Sequence, residues 1–448
     1  MNGDNTMGQA ESMKMKNMGK ILIKGGRILT PESIIEGDLL AAGGKIATLG
    51  DLWGNEEFKE LTKDADIIDA KGLWAVPGFV DIHCHLREPG YEYKEDIRSG
   101  TAAAAKGGFT TVCCMANTDP VNDNAVVTSF IKQRAKEAGF VRVRPIAAAT
   151  KGLKGEELTE MGELSAAGAV AVSDDGKSIR NAQMMRLVLR YAKCFGLTVI
   201  SHPEDENLVN GGVMNEGYWS TALGLPGATR AAEETVIARD CMIAELENAR
   251  LHIAHVSTAG GIEIVRQSKR RGVPVTCETA PHYLFATDEW VKDYDTNTRV
   301  NPPLRTEEDR AALIEALKDG TIDAIATDHA PHHLDDKNVE YALASSGISG
   351  FETAFAICWT ALVKPGHMMP EQLFDKLSRS PALTLGLDAG TLEKGHAADI
   401  TIIDPAAEWA VDAAGFASRG KNTPFDGKAL TGLVKCTIAD GVIAYISN

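Results

Sequence analysis

Two histidines separated by one residue, His83 and His85, end the apolar run from Ala75 to Ile82. Side chains alternate faces along a strand, so this spacing puts both imidazoles on one side and turns Cys84 to the other. Two imidazoles suit Zn, Fe, Ni or Mn, and a hydrolytic centre needs further ligands from elsewhere in the chain. Such residue types recur where later apolar runs end: Ala116-Asn117-Thr118, Ser173-Asp174-Asp175-Gly176, Ser201-His202-Pro203-Glu204, Ala254-His255-Val256-Ser257 and Thr327-Asp328-His329-Ala330-Pro331-His332. Singly, such an Asp caps a helix and such a His satisfies a carbonyl. Four histidines and two aspartates meeting at one mouth would instead hold two metals across a shared carboxylate. Spacing leaves open whether Asp174 or Asp175 is that bridge.

The elements that must position these residues are legible in the same sequence. Over residues 76–387, apolar strands alternate with helical stretches in about eight units, the number that closes a (β/α)8 TIM-type barrel of the α/β class. In such a barrel chemistry sits at the C-terminal ends of the strands. Residues 20–75 and 388–448 differ, with short strands broken by glycines. Near the start these are Ile21-Leu22-Ile23, a Gly25-Gly26 turn and Arg27-Ile28-Leu29, and the pattern returns in Asp399–Asp404 and Gly432–Ile443. One small discontinuous β-sandwich domain built from both termini is expected. Residues 1–19 are polar and aperiodic, which predicts a flexible leader.

Composition narrows the partners. With 448 residues, 44% hydrophobic and 24% charged, the chain can bury a large core. A net charge of -16 argues against nucleic acid or an anionic membrane, so an acidic small-molecule substrate would have to meet local positive groups. No apolar run approaches the ~20 residues that span a bilayer. The 8 cysteines are scattered without a Cys-x-x-Cys pair, which predicts small core residues in a reducing cytoplasm.

Five segments carry a family resemblance: Pro-Gly-Phe-Val-Asp-Ile-His-Cys-His-Leu-Arg-Glu-Pro-Gly (77–90), Met-Ala-Asn-Thr (115–118), Ser-Asp-Asp-Gly (173–176), Asn-Pro-Pro-Leu-Arg (301–305) and Thr-Asp-His-Ala-Pro-His (327–332). They resemble the class I dihydroorotases of the amidohydrolase superfamily, and the similarity runs on to Asn422-Thr423-Pro424-Phe425-Asp426-Gly427. The resemblance implies reversible cyclisation of N-carbamoyl-L-aspartate to L-dihydroorotate in de novo pyrimidine biosynthesis, through a metal-bridging hydroxide. It implies two divalent ions, zinc expected: His83, His85 and Asp328 on one, His202 and His255 on the other, with Asp175 between. Asp328 would also be the catalytic acid–base. Arg87, Asn117 and His332 would clamp the substrate carboxylate, Asn301 would contact the ring, and the loop through Ser346 and Gly347 would meet the substrate. Ser346 stands where the family commonly has Phe. His252, three residues before His255, is expected to pack rather than ligate.

Two alternatives remain in view. Hydantoinases, dihydropyrimidinases and allantoinases usually bridge their metals with a carboxylated lysine, where this chain has Ser-Asp-Asp-Gly and no lysine until Lys177. An inactive dihydroorotase-like structural subunit typically lacks metal ligands, and here each is present. A homodimer and an aspartate transcarbamoylase are the protein partners to consider.

Overall fold

Eight short parallel strands surround an apolar interior: β1 (Phe79–Cys84), β2 (Phe109–Cys114), β3 (Arg142–Ala147), β4 (Ala171–Ser173), β5 (Thr198–Ser201), β6 (Leu251–Ile253), β7 (Val275–Thr279) and β8 (Ala324–Ile325). Each pairs with the next in sequence order. The ring closes where the N–H of Asp328 donates to the carbonyl of His83 at 3.0 Å and that of His85 donates to the carbonyl of His329 at 2.8 Å. Residues of the predicted site thus form the seam of the barrel. The computed structural model describes residues 19–52 and 56–447, and the leader expected over 1–19 lies outside them except for Gly19.

Helices between the strands bury their apolar faces against the barrel, as parallel βαβ units require. Helix Ala125–Ala138 shows how local sequence sets their limits. Asn124 accepts from the N–H groups of Val126 and Val127, and Gly139 ends the helix at φ 66°. Inside the barrel, Val80, Ile82, Ile146 and Ile200 pack with the smaller Ala171, Ala254 and Ala324. This interior is filled, so the space for a ligand lies above it, at the strand ends.

The strands of both termini join one mixed sheet, in the order Val442–Ile446, Ala429–Ala439, Ile400–Ala410, Trp74–Pro77, Lys20–Leu29, Ile34–Ala42, Lys45–Gly50, with Ala65–Asp69 pairing beside Lys20–Leu29. The sheet curls around its own core of Ile21, Ile23, Leu39, Ile400, Ile402 and Ile438. Its two ends meet where Ala398 donates to Gly44 and Gly441 donates to Ala398, both at 2.9 Å.

Two expectations need correction. Gly25-Gly26 is not a turn: Lys20–Leu29 is one strand, and the glycines make a bulge between Ile23 and Gly26 in its pairing with Ile34–Ala42. The apolar run from Ala75 to Ile82 is not one strand either. Trp74–Pro77 belongs to the small sheet and Phe79–Cys84 to the barrel. Gly78 joins them against Thr110, where a Cβ would stand 2.2 Å from Thr110 Oγ1. We propose Gly78 as the boundary between the two units. A half-buried pair, Arg142 to Asp399 at 2.6 and 3.1 Å, and Thr401 Oγ1 to the Gly108 carbonyl at 2.6 Å, clamp sheet to barrel.

Candidate metal and substrate site

The strand ends bring six side chains to the mouth. His83 Nε2 lies 3.3 Å from Asp175 Oδ1 and 3.6 Å from Asp328 Oδ1. His85 Nε2 is 3.6 Å from Asp175 Oδ2 and 3.2 Å from Asp328 Oδ1. On the other side of Asp175, His202 Nδ1 stands 3.5 Å and His255 Nε2 3.8 Å from its Oδ1. These make two ligand groups that share Asp175: His83, His85 and Asp175, and Asp175, His202 and His255.

The donor set fits divalent cations. His83 Nε2 and Asp175 Oδ1 are buried without a hydrogen bond, a costly state unless another group satisfies them. Charge points the same way. Burial alone would lower the His83 pKa, but the Asp175 and Glu278 carboxylates outweigh it and push the ring well above its usual value. Burial would raise Asp175, yet the neighbouring His83, His202 and His255 hold it well below the carboxylate range. Asp328 is likewise lowered against its burial, by the bond to His85 and by the other imidazoles. Carboxylates that draw protons onto their histidine neighbours offer the same field to a metal ion.

Backbone geometry selects among the candidates. Asp174 turns away from the mouth and accepts from the N–H groups of Ala149 and Thr150, each at 2.9 Å, and from the Thr150 hydroxyl. Asp175 is left facing the histidines, its own N–H held by Ser173 Oγ at 3.0 Å. Arg87, His255 and Asp328 have φ of 62°, 35° and 46°, in the left-handed region that side chains disfavour. Strain of this kind persists where surrounding contacts over-determine it, and it gathers at functional sites. Beneath Asp328, Thr327 donates from its N–H (2.9 Å) and hydroxyl (2.5 Å) to Asp81, whose carboxyl burial pushes up to about 7.

Sequence reasoning missed Glu278. Its Oε1 is 2.6 Å from His83 Nδ1 and its Oε2 is 3.2 Å from His252 Nε2. The carboxylate therefore fixes the His83 tautomer and aims Nε2 at the site. A charged residue inside the strand Val-Thr-Cys-Glu-Thr was the available signal. His252 is buried, with Nδ1 2.8 Å from Thr276 Oγ1. Cys84 packs in the layer between strands and helices.

A cavity of about 370 Å³ opens over the cluster, lined among others by Arg87, Asn117, Asn301, His332, Ser346 and Gly347. Arg87 donates from Nε to the Pro331 carbonyl at 3.2 Å, and its Nη2 is 3.3 Å from His332 Nε2. His332 Nε2 faces the Ser346 carbonyl at 2.8 Å while Lys94 Nζ approaches Nδ1 at 3.3 Å. The ring is thus neutral, with Nε2–H donating and Nδ1 accepting. Burial and the Arg87 and Lys94 cations hold its pKa down at about 2. Asn117 Oδ1 accepts from His85 Nδ1–H at 2.9 Å, and its NH2 has no hydrogen-bond partner among the described residues. Asn422, from the C-terminal segment, accepts from the His332 N–H at 2.9 Å and donates to the carbonyls of Ala330 and Gly347. It ties both ends of the loop 333–346 in place. Gly347 has φ 147°, and a Cβ there would lie 2.5 Å from the Ala330 carbonyl oxygen.

The chain is similar to known proteins over nearly its whole length. A family model described as dihydro-orotase-like matches residues 72–260. The chain is 52% identical over 424 residues to a dihydroorotase of Acetivibrio thermocellus, covering 94% of this chain and 98% of that one. It is 52% identical over 427 residues to a dihydroorotase of Geotalea daltonii, covering 95% and 99%. Among solved structures, an L-hydantoinase (dihydropyrimidinase) from Arthrobacter aurescens superposes with a TM-score of 0.84 at 26% identity, over 94% of this chain and 95% of that one. A dihydropyrimidinase from Brevibacillus agri shares the fold, with a TM-score of 0.81 at 22% identity over 95% and 94%.

Proposed function

The chain belongs to the dihydroorotase family, and on that premise we propose that it catalyses the reversible ring closure of N-carbamoyl-L-aspartate to L-dihydroorotate, a step of pyrimidine biosynthesis. The observation that carries the reading is the pairing of two ligand groups sharing an unmodified aspartate, Asp175, with an arginine on the same cavity wall. Two divalent cations, zinc being the metal expected, would activate a water and polarise the ring carbonyl when bound. His83, His85 and Asp328 would hold one and His202 and His255 the other, with Asp175 common to both.

Asp328 receives the proton of the attacking water and returns it to the departing ring nitrogen. In hydrolysis the water oxygen bonds to the carbonyl carbon beside the ring methylene, and the bond from that carbon to nitrogen breaks. Cyclisation runs these steps backward. Arg87 offers a planar fork to the substrate carboxylate and stays charged in doing so. The NH2 of Asn117 adds a donor to the clamp, and His332, its Nε2–H held by the Ser346 carbonyl, borders it beside the Arg87 guanidinium. Asn301, Ser346 and Gly347 border the ring.

A hydantoinase reading is the rival, since such enzymes share the fold. The exposed Lys177 and the direct approach of Asp175 to both histidine pairs favour dihydroorotase. Among the described residues no helix is long and apolar enough to cross a membrane, and we assign the enzyme to the cytoplasm. A homodimer and association with an aspartate transcarbamoylase belong to the same proposal and are testable by analytical ultracentrifugation of the two proteins. The deciding experiment assays the purified enzyme on dihydroorotate, hydantoin, dihydrouracil and allantoin, with metal content measured on the same sample. Faster turnover of any of the last three would overturn the assignment.

A further inference from the structure

Glu204 has no part in the roles above, yet it lines the cavity two residues after His202. Its Oε2 accepts a 2.7 Å hydrogen bond from Asn301 Nδ2 and stands 3.9 Å from His202 Nε2. A carboxylate at neutral pH only accepts, so Glu204 decides which way the Asn301 amide faces. The NH2 must point to Glu204 and the carbonyl oxygen away from it. Among the described residues, neither Asn301 Oδ1 nor Glu204 Oε1 is given a hydrogen-bond partner by the chain itself, and both side chains border the cavity.

The barrel decides which end of a ligand these oxygens meet. Arg87 follows β1 and His332 follows β8, and those strands adjoin at the seam. Glu204 follows β5, four strands round from β1 and so on the far side of the mouth, and Asn301 comes from the segment after β7. One side of the cavity therefore carries the Arg87 guanidinium and the other the Glu204 and Asn301 acceptors, with Arg299 also in the lining beside Asn301. Both ligands have matching asymmetry: the dihydroorotate N–H between the two ring carbonyls, or the terminal ureido NH2 of N-carbamoyl-L-aspartate, lies away from the carbon that bears the α-carboxylate.

We infer that Glu204 is a specificity-determining residue: with Asn301 Oδ1 it forms an acceptor pair for the ureido N–H groups while Arg87 holds the carboxylate. The inference rests on the family reading of the substrate. It explains why an anion-binding pocket keeps a carboxylate in its wall. Beside a ligand that carries carboxylates alone, Glu204 would be a desolvated charge without a donor, and such a ligand is rejected.

The test uses the metal-loaded full chain with Glu204→Gln and Glu204→Asp. It compares KM and kcat for dihydroorotate with inhibition by succinate, a dicarboxylate that lacks ureido N–H groups, and measures metal content. For Glu204→Gln, KM should rise about 10- to 100-fold, as expected for loss of a hydrogen bond to a charged group, with kcat changed less. Succinate inhibition should stay the same or tighten, and Glu204→Asp should recover part of the KM. Equal weakening of dihydroorotate and succinate, or loss of metal from Glu204→Gln, would overturn the inference in favour of a structural or metal-supporting role. Turnover by the unaltered chain tests the family reading separately. If turnover is absent, binding of N-carbamoyl-L-aspartate against succinate still reads Glu204.

Discussion

Replacing Glu278 by Gln removes one charge from beneath the metal cluster and almost nothing else. The side chain is 1% exposed, and its two oxygens face His83 Nδ1 at 2.6 Å and His252 Nε2 at 3.2 Å. Burial works to raise its pKa, but His83 and His252 hold it down at about 2, so the group is a carboxylate across the working pH range. In Glu278→Gln the amide oxygen can still accept from His83 Nδ1–H, and the NH2 can donate to His252. The loss is then the difference between a charged and a neutral acceptor, on the order of 1–1.5 kcal/mol. That corresponds to roughly 5- to 13-fold weaker metal binding at the His83–His85 side. The lower end of the range for outer-shell carboxylates is similar, about 10-fold. Glu278→Leu is harsher, because buried His83 loses its acceptor and His252 its charged neighbour, and thermal stability should fall as well. Chelator competition on the purified protein, followed by dihydroorotate hydrolysis at saturating metal, separates the two effects. Unchanged metal affinity in Glu278→Gln would show that His83 needs no charged partner, and the orienting argument would be wrong.

Three further outcomes are expected. Arg87→Met should impair dihydroorotate turnover by about 2–5 kcal/mol in transition-state binding, while sparing a slow side activity on an uncharged cyclic amide; equal losses on both, by steady-state kinetics, would make Arg87 structural. Asp175→Asn should lose metal, whereas Asp174→Asn should lower the melting temperature and retain metal, and apo-enzyme should regain activity with divalent metal alone in carbon-dioxide-free buffer; a bicarbonate requirement would refute the aspartate bridge. Lys337, buried in the loop over the cavity, donates to the carbonyls of Thr296, Arg299 and Ser345, so Lys337→Met should make residues 333–346 protease-sensitive and raise KM; an equally resistant loop would show that this lysine does not hold it.

Much of this molecule is legible in its sequence because the information is local. Alternation along β1 places His83 and His85 together, and apolar runs separated by helical stretches identify a parallel barrel whose strand ends carry the chemistry. Glycine-broken strands at both ends identify the second unit. Where the reading failed, local pattern had to be overruled by packing. Gly25-Gly26 looks like a turn because glycine permits one, but pairing with Ile34–Ala42 keeps the strand going and absorbs the extra residue as a bulge. The run through Gly78 looks continuous because both halves are apolar, but two different sheets claim them.

The residue types of the site, its metal-binding character and its place at the strand ends were determined by the sequence alone. Spacing could not decide which of Asp174 and Asp175 faces the histidines; the resemblance pointed to Asp175, and the tertiary structure supplies the reason, the N–H groups of Ala149 and Thr150 capturing Asp174. Only it paired Glu278 with His83 across 195 residues, and Glu204 with Asn301 across 97. Hydrogen-bond partners that distant are chosen by closure of the barrel, and no periodicity within a strand or helix records which strand end will lie opposite which.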